Sequence, residues 1–314
     1  MFSLFRNFGL AVLLALVAIG SVAAATPRAA AVQGDASACK ACHEAAATTA
    51  FNKSRHAGLT DSCLSCHAGA AEHAKKQAAG DTSGPPPSVK EMTAQAIDAT
   101  CLKCHEKGEQ ANWVGGTHDR RNVACTSCHS VHAYKSATAQ LKTASASDTC
   151  YTCHKSERAK SMRTSHHPIR EGKMGCTSCH NPHDGSQPKM IKADSINDLC
   201  YTCHTEKRGP FLFEHAPVRE DCVSCHEPHG SNHKRLLLNK LPTLCQNCHF
   251  QGGGHYQNAG DNWSTEKGGV YTVAPTGAPS GFPVISSRWV EKSCRNCHVA
   301  LHGSNSPSGA FFIR

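Results

Sequence analysis

Twenty cysteines and twenty-two histidines lie along 314 residues in a repeated arrangement. Cys-x-x-Cys-His occurs ten times: Cys39-Cys42-His43 (motif 1), Cys63-Cys66-His67 (2), Cys101-Cys104-His105 (3), Cys125-Cys128-His129 (4) and Cys150-Cys153-His154 (5). It continues with Cys176-Cys179-His180 (6), Cys200-Cys203-His204 (7), Cys222-Cys225-His226 (8), Cys245-Cys248-His249 (9) and Cys294-Cys297-His298 (10). The ten motifs use every cysteine. This spacing lets two thiols add to the vinyl groups of one porphyrin while the adjacent imidazole faces its iron, which is c-type haem attachment. Zinc ribbons and disulfide frameworks also pair cysteines, but neither needs a histidine directly after the second one. The pattern predicts ten covalently bound c-type haems, each anchored by its two cysteines and held proximally by its motif histidine.

Twelve histidines remain: His56, His73, His118, His132, His166, His167, His183, His215, His229, His233, His255 and His302. Taken two motifs at a time, each even-numbered motif has one such histidine before it and another shortly after. His56 and His73 flank motif 2, His118 and His132 flank motif 4, and His167 and His183 flank motif 6. His215 and His229 flank motif 8, and His255 and His302 flank motif 10. These ten are the expected distal ligands. His166 competes with His167, which is preferred because it directly precedes Pro168. His233 has no counterpart in the other repeats and reads as a surface residue. A histidine three residues after a proximal one, such as His132, His183 or His229, cannot reach the far face of its own haem. It should ligate a neighbouring haem and tie repeats together.

Two histidines on every iron would leave no open coordination position, which favours electron transfer over substrate chemistry at the metal. Methionine ligation would raise the potential, but Met92, Met162, Met174 and Met190 show no periodic relation to the motifs and read as packing residues. There is no Cys-x-x-Cys-Lys variant, and no Ser-His-Asp, phosphate-cradling or paired-carboxylate constellation stands out. The expectation is an electron carrier with no catalytic residues.

The elements positioning these groups must be small. Aromatic residues make up only 6% of the chain, too few for an ordinary oily core. First cysteines are 22 to 26 residues apart except for two gaps of 38 and 49. Haems that close in sequence cannot be insulated from one another, and porphyrin faces must replace the missing core. The expected fold is a multihaem cytochrome c, mostly irregular, with short α-helices wrapped round a linear stack of ten haems and essentially no β-sheet. The repeat is a di-haem module used five times, at about 39–73, 101–132, 150–183, 200–229 and 245–302. Lys75 to Asp98, with Gly84-Pro85-Pro86-Pro87, reads as a loop or semi-rigid linker. Gln251 to Glu291 reads as an exposed loop before the last motif. Tyr151 and Tyr201, inside two attachment loops, read as packing against haem edges.

Arg6, the apolar run Leu10 to Ile19 and the small residues Val22-Ala23-Ala24-Ala25 form a signal-peptide pattern. Residues 1–25 are read as signal and 26–314 as one elongated decahaem domain, exported to the periplasm. The apolar run is shorter than the roughly 20 residues a spanning helix needs. The formal charge of +9 is no argument for a nucleic-acid partner: twenty propionates and ten ferric irons would bring the mature protein to about −2.

Three segments carry a family resemblance: DLCYTCHTEKRGPFLFEHAPVREDCVSCHEPHGS from Asp198, SCRNCHVALHGSNSPSGAFFIR from Ser293, and GGTHDRRNVACTSCHSVH from Gly115. They resemble the MtrA-type decahaem cytochromes, which include MtoA-, PioA- and DmsE-type relatives. The resemblance implies a periplasmic cytochrome threaded through an outer-membrane β-barrel, with motif 1 towards the periplasm and motif 10 towards the exterior. It implies periplasmic electron-transfer proteins and an outer-surface multihaem cytochrome as further partners. Some members of that family export electrons to Fe(III) and others import them from Fe(II). The alternatives are a soluble periplasmic shuttle or store without a barrel, and a partner of an extracellular terminal reductase.

Overall fold

A computed structural model describes residues 39–40, 42–46, 49–59, 62–84, 88–249 and 293–313. The signal-peptide pattern and the whole loop Gln251 to Glu291, His255 included, lie outside the described residues. In each of the ten motifs the histidine N–H donates to the carbonyl of the first cysteine, at 2.9–3.1 Å. Every Cys-x-x-Cys-His therefore coils into one helical turn, which brings both sulfurs and the imidazole to the same side.

The described α-helices are short: α1 (Thr49–Lys53), α2 (Ala70–Ala78), α3 (Ala94–Leu102), α4 (Cys125–Cys128), α5 (Ala146–Tyr151), α6 (Lys155–Ser161), α7 (Ile196–Tyr201), α8 (Ala216–Glu220) and α9 (Thr243–Gln246). Helices α3, α5, α7 and α9 each carry the first cysteine of an odd-numbered motif near their C-terminal end. Three of them have a side-chain N-cap: Thr93 accepts from Ala96 N–H, Ser145 from Asp148 N–H and Ser195 from Asp198 N–H. Ser145 and Ser195 also donate to the Asp148 and Asp198 carboxylates. Helices this short are marginal alone, so these caps matter.

Even-numbered motifs from motif 4 onward are built differently. Each opens on a single tight turn, and the chain then loops back across it. Isolated antiparallel bridges join His129 to Leu141, His180 to Ile191 and His226 to Leu237. Among the described residues such bridges are the only β pairing, as the composition led us to expect. The stretch read as a linker, Lys75 to Asp98, is less irregular than expected. The helix α2 runs on to Ala78, and Thr93 caps α3, which already includes Ala94 to Asp98. The cap at Thr93 and the helix-forming run Ala70 to Ala78 confine the irregular stretch to the residues around the Gly-Pro run.

Buried apolar residues among those described are Phe51, Trp113 and Ala124. The interior otherwise holds polar residues that staple one motif to the next. Asp98, three residues before Cys101 and only 3% exposed, accepts from Cys125 N–H at 2.7 Å and from the Trp113 indole at 2.8 Å. Asn197, three before Cys200, repeats the arrangement by accepting from Cys222 N–H at 2.8 Å and donating to the Val218 and Arg219 carbonyls. The two motifs of a module are thus joined through the helix that carries the first of them. Tyr151 is tied by its hydroxyl to buried Ser161.

Modules meet at repeated glycine seams. A Cβ on Gly185 would lie 2.3 Å from Gly116 Cα, one on Gly230 2.0 Å from the Lys160 carbonyl oxygen, and one on Gly303 2.2 Å from the Phe211 ring. Each of these three glycines follows His183, His229 or His302 within two residues.

Candidate haem-binding centre

The histidine rings fall into pairs. His43 faces His73 (6.2 Å between ring centroids), His56 faces His105 (6.0 Å) and His67 faces His132 (6.2 Å). His118 faces His154 (6.3 Å), His129 faces His183 (5.9 Å) and His167 faces His204 (6.5 Å). His180 faces His229 (6.1 Å), His215 faces His249 (6.2 Å) and His226 faces His302 (6.2 Å). Each pair joins one motif histidine to one of the histidines expected as distal ligands. An imidazole nitrogen binds a metal at about 2 Å, so two imidazoles on opposite sides of one iron have centroids about 6 Å apart. The residues fit bis-His haem.

The pairing has an order that spacing along the chain did not reveal. His56, His118, His167 and His215 reach forward to the next module's odd motif. His132, His183, His229 and His302 reach back to the previous module's even motif. His73 instead stays within its own module, opposite His43. Of the motif histidines, His298 is the one with no such pair among the described residues, and His255, the remaining expected distal ligand, lies outside them. Of the doublet, His167 faces His204, while His166 lies among the Arg163 carbonyl, Glu171 and the Arg170 guanidinium. His233 is half-buried before the turn Lys234–Leu236, with its N–H on Ser231.

The far nitrogens of the rings fix their orientation. Forward-reaching His118 and His167 place Nδ1 against the carbonyls of Pro182 and Pro228, and His215 uses Leu301 in the same way. Those carbonyls immediately precede backward-reaching His183, His229 and His302, so the two ligand sets brace each other. Proximal His129, His180 and His226 set Nδ1 against the carbonyls of Ala139, Lys189 and Arg235. Those three residues have φ of 57°, 56° and 62°. A left-handed residue turns its carbonyl towards the imidazole, and a fixed acceptor on Nδ1 leaves Nε2 free for a metal. For His298 the acceptor is Phe311, followed by left-handed Phe312. Burial holds His180, His183, His215 and His302 below the usual imidazole range, which keeps them neutral. Aromatic rings back several distal positions: Phe51 stacks on His132, Trp113 lies beside both His118 and His183, and Phe312 lies beside His215.

The cysteines trace the order of the sites. Within modules, Cys101 lies against Cys125, Cys150 against Cys176, Cys200 against Cys222 and Cys245 against Cys294. Between modules, Cys66 neighbours Cys101 and Cys104, Cys128 neighbours Cys153, Cys179 neighbours Cys200 and Cys203, and Cys225 neighbours Cys248. In the holoprotein these sulfurs are thioethers, so their proximity is what counts. From motif 2 to motif 10, each site adjoins the next one in the chain.

Two family models match this architecture: Doubled CXXCH motif over residues 166–209 and 215–253, and Cytochrome c-type protein NrfB-like over residues 63–145. Covalent haem c on such motifs makes this chain a multihaem c-type cytochrome, an electron-transfer protein. It is 34% identical over 268 residues to Multiheme cytochrome MtrA of Shewanella baltica (strain OS185), a match covering 84% of this chain and 73% of the relative. The chain belongs to the MtrA family of multihaem cytochromes. No described helix is long and apolar enough to cross a membrane.

Proposed function

We propose that the protein is a ten-haem wire that carries electrons across the outer membrane inside a β-barrel partner, for extracellular Fe(III) reduction or Fe(II) oxidation. The observation that carries this reading is the site-to-site adjacency running in chain order, in a protein of the MtrA family. Each haem supplies an Fe(III)/Fe(II) couple when bound. The chain's residues hold it: the cysteine pair of each motif fixes the porphyrin, and the nine ring pairs serve as axial ligands. His255 completes the tenth site with His298. With both axial positions filled, substrate has no route to the iron, so the protein is a carrier and not a catalyst. The mature chain works in the periplasm, and its outward end is motif 10.

Two measurements test this reading. Tagged protein recovered from detergent-solubilised outer membranes should bring down a stoichiometric β-barrel. Recovery of the cytochrome alone from the soluble periplasm would overturn the conduit in favour of a shuttle or store. The intact holoprotein should carry ten haems by mass and be wholly low-spin in the ferric state. A high-spin fraction that binds added ligands would overturn full bis-His ligation.

A further inference from the structure

One ring pair, among the described residues, has a carboxylate hydrogen-bonded to the far nitrogen of a ring; the nearest parallel, exposed Glu206 beside His204 Nδ1, stands off at 3.9 Å. The Nδ1 atoms of His118, His129, His167, His180, His215, His226 and His298 all face backbone carbonyls. His229, which faces His180 across the site of motif 6, has carboxylates instead. Its Nδ1 is hydrogen-bonded to Glu227 Oε1 at 3.1 Å and lies 3.0 Å from Glu157 Oε2. Lys160 reaches both carboxylates, at 3.1 Å to Glu227 and 3.4 Å to Glu157. One ammonium between two carboxylates leaves a net negative charge beside the ring. Among the even motifs the residue after the proximal histidine is Ala68, Ser130, Asn181, Glu227 and Val299, so motif 8 alone of these carries a carboxylate there; Glu44 and Glu106 follow the histidines of motifs 1 and 3. Glu227 sits on the module that sends His229 back, while Glu157 and Lys160 sit on helix α6 of the module that receives it.

We propose that Glu227, supported by Glu157 and Lys160, is a positioning residue that tunes the motif 6 haem to a lower potential than its neighbours at motifs 5 and 7. A carboxylate draws the Nδ1 proton more strongly than a carbonyl does, so the ring becomes a stronger donor and stabilises Fe(III) over Fe(II). The added negative charge acts in the same direction. The wire then has a ferric-favouring site near its middle. Under partly reducing conditions electrons populate the sites on either side of it first, and the chain stores charge as two halves.

This inference rests on the reading that His180 and His229 hold one iron. The test is a spectroelectrochemical titration of the Glu227→Gln and Glu157→Gln holoproteins, together with a His229→Met variant. Glu227→Gln should move about one haem's share of the titration amplitude to higher potential and leave the remainder superimposed on the parent curve. Glu157→Gln should move the same share in the same direction by less. A Glu227→Gln curve that superimposes throughout, or one that shifts as a whole, overturns the tuning. His229→Met should create a single high-potential haem with a Met–iron charge-transfer band. If that band is absent with haem content intact, the ligand reading itself fails, whatever Glu227→Gln shows.

Discussion

Motifs 5 and 6 stand side by side in one module, carry the same five-residue signature, and are held in different ways. Motif 5 leaves the end of helix α5, and its proximal His154 is exposed. Motif 6 is clasped by its own downstream chain. Asn181 N–H donates to the Met190 carbonyl, Lys192 N–H donates to the Cys179 carbonyl, and the Lys189 carbonyl faces the ring of His180. The same contrast separates motifs 3 and 4, and motifs 7 and 8. The loop after each of these even motifs orients that motif's own imidazole and carries a histidine that reaches the preceding module, joined after motifs 6 and 8 by a glycine that docks there. The helix before an odd motif delivers a cysteine and staples the motif that follows. Even motifs therefore concentrate the tertiary structure, and odd motifs depend on local helix chemistry.

Four outcomes would break or sharpen this contrast. The largest should come from Gly230→Ala. Its φ of +139° is strained for any L side chain, and the new Cβ would overlap the Lys160 carbonyl. Little folded holoprotein should accumulate on haem-stained gels, whereas Gly172→Ala, with open space around it, should cost only about 1 kcal/mol. Normal yields of both would disprove the seam.

Next is Lys189→Val. A β-branched residue resists φ of +56°, so about 1–2 kcal/mol of stability should be lost in thermal melts. The Lys189 carbonyl should swing away from His180, and one haem should shift to higher potential. A melt that falls with no change in the redox titration would show that the clasp is only structural.

Ser195→Ala, on the odd side of the contrast, removes the α7 cap. It should lower stability by about 1 kcal/mol and leave every potential where it was. A shifted potential would mean that the helix, too, orients its ligand.

The last test perturbs nothing. The ring planes of the clasped pairs at motifs 4, 6 and 8 are 22°, 11° and 16° apart, while those at motifs 3, 5 and 7 are 49°, 66° and 49° apart. Motif 9, at 17°, joins the first group. Near-parallel imidazoles split the iron d orbitals more than crossed ones do, so the ferric protein should show two classes of low-spin EPR signal. A single class would remove the distinction.

The cysteines and the motif histidines were legible because covalent haem attachment demands fixed residue types at fixed spacing, and nine of the ten distal candidates each face a motif histidine. That His132, His183 and His229 leave their own haem for a neighbouring one was legible too, since three residues cannot span a porphyrin; the direction of that reach was not. The partners were not, because they depend on how modules dock. The clasps were hidden for another reason. Left-handed positions usually announce themselves as Gly or Asn, but here they are Ala139, Lys189 and Arg235, held by the bridge across the motif and by the imidazole they face. Trp113 and Asp98 were missed as well. A buried carboxylate three residues before a haem cysteine looks like any helix residue until its partners 15 and 27 residues away are seen.

The forward and backward histidine pairs lay the modules like courses of brick, each joint covered by its neighbours. Two ring pairs cross the boundary between any adjacent modules, as His118–His154 and His129–His183 do between the second and third. A cut there would leave two sites short of a ligand, one on either side, so the protein cannot be trimmed into a working shorter one. Inserting a whole interior module would instead leave every histidine with a partner. Length is therefore the property this design can change most freely, in steps of two haems, without altering a single existing site.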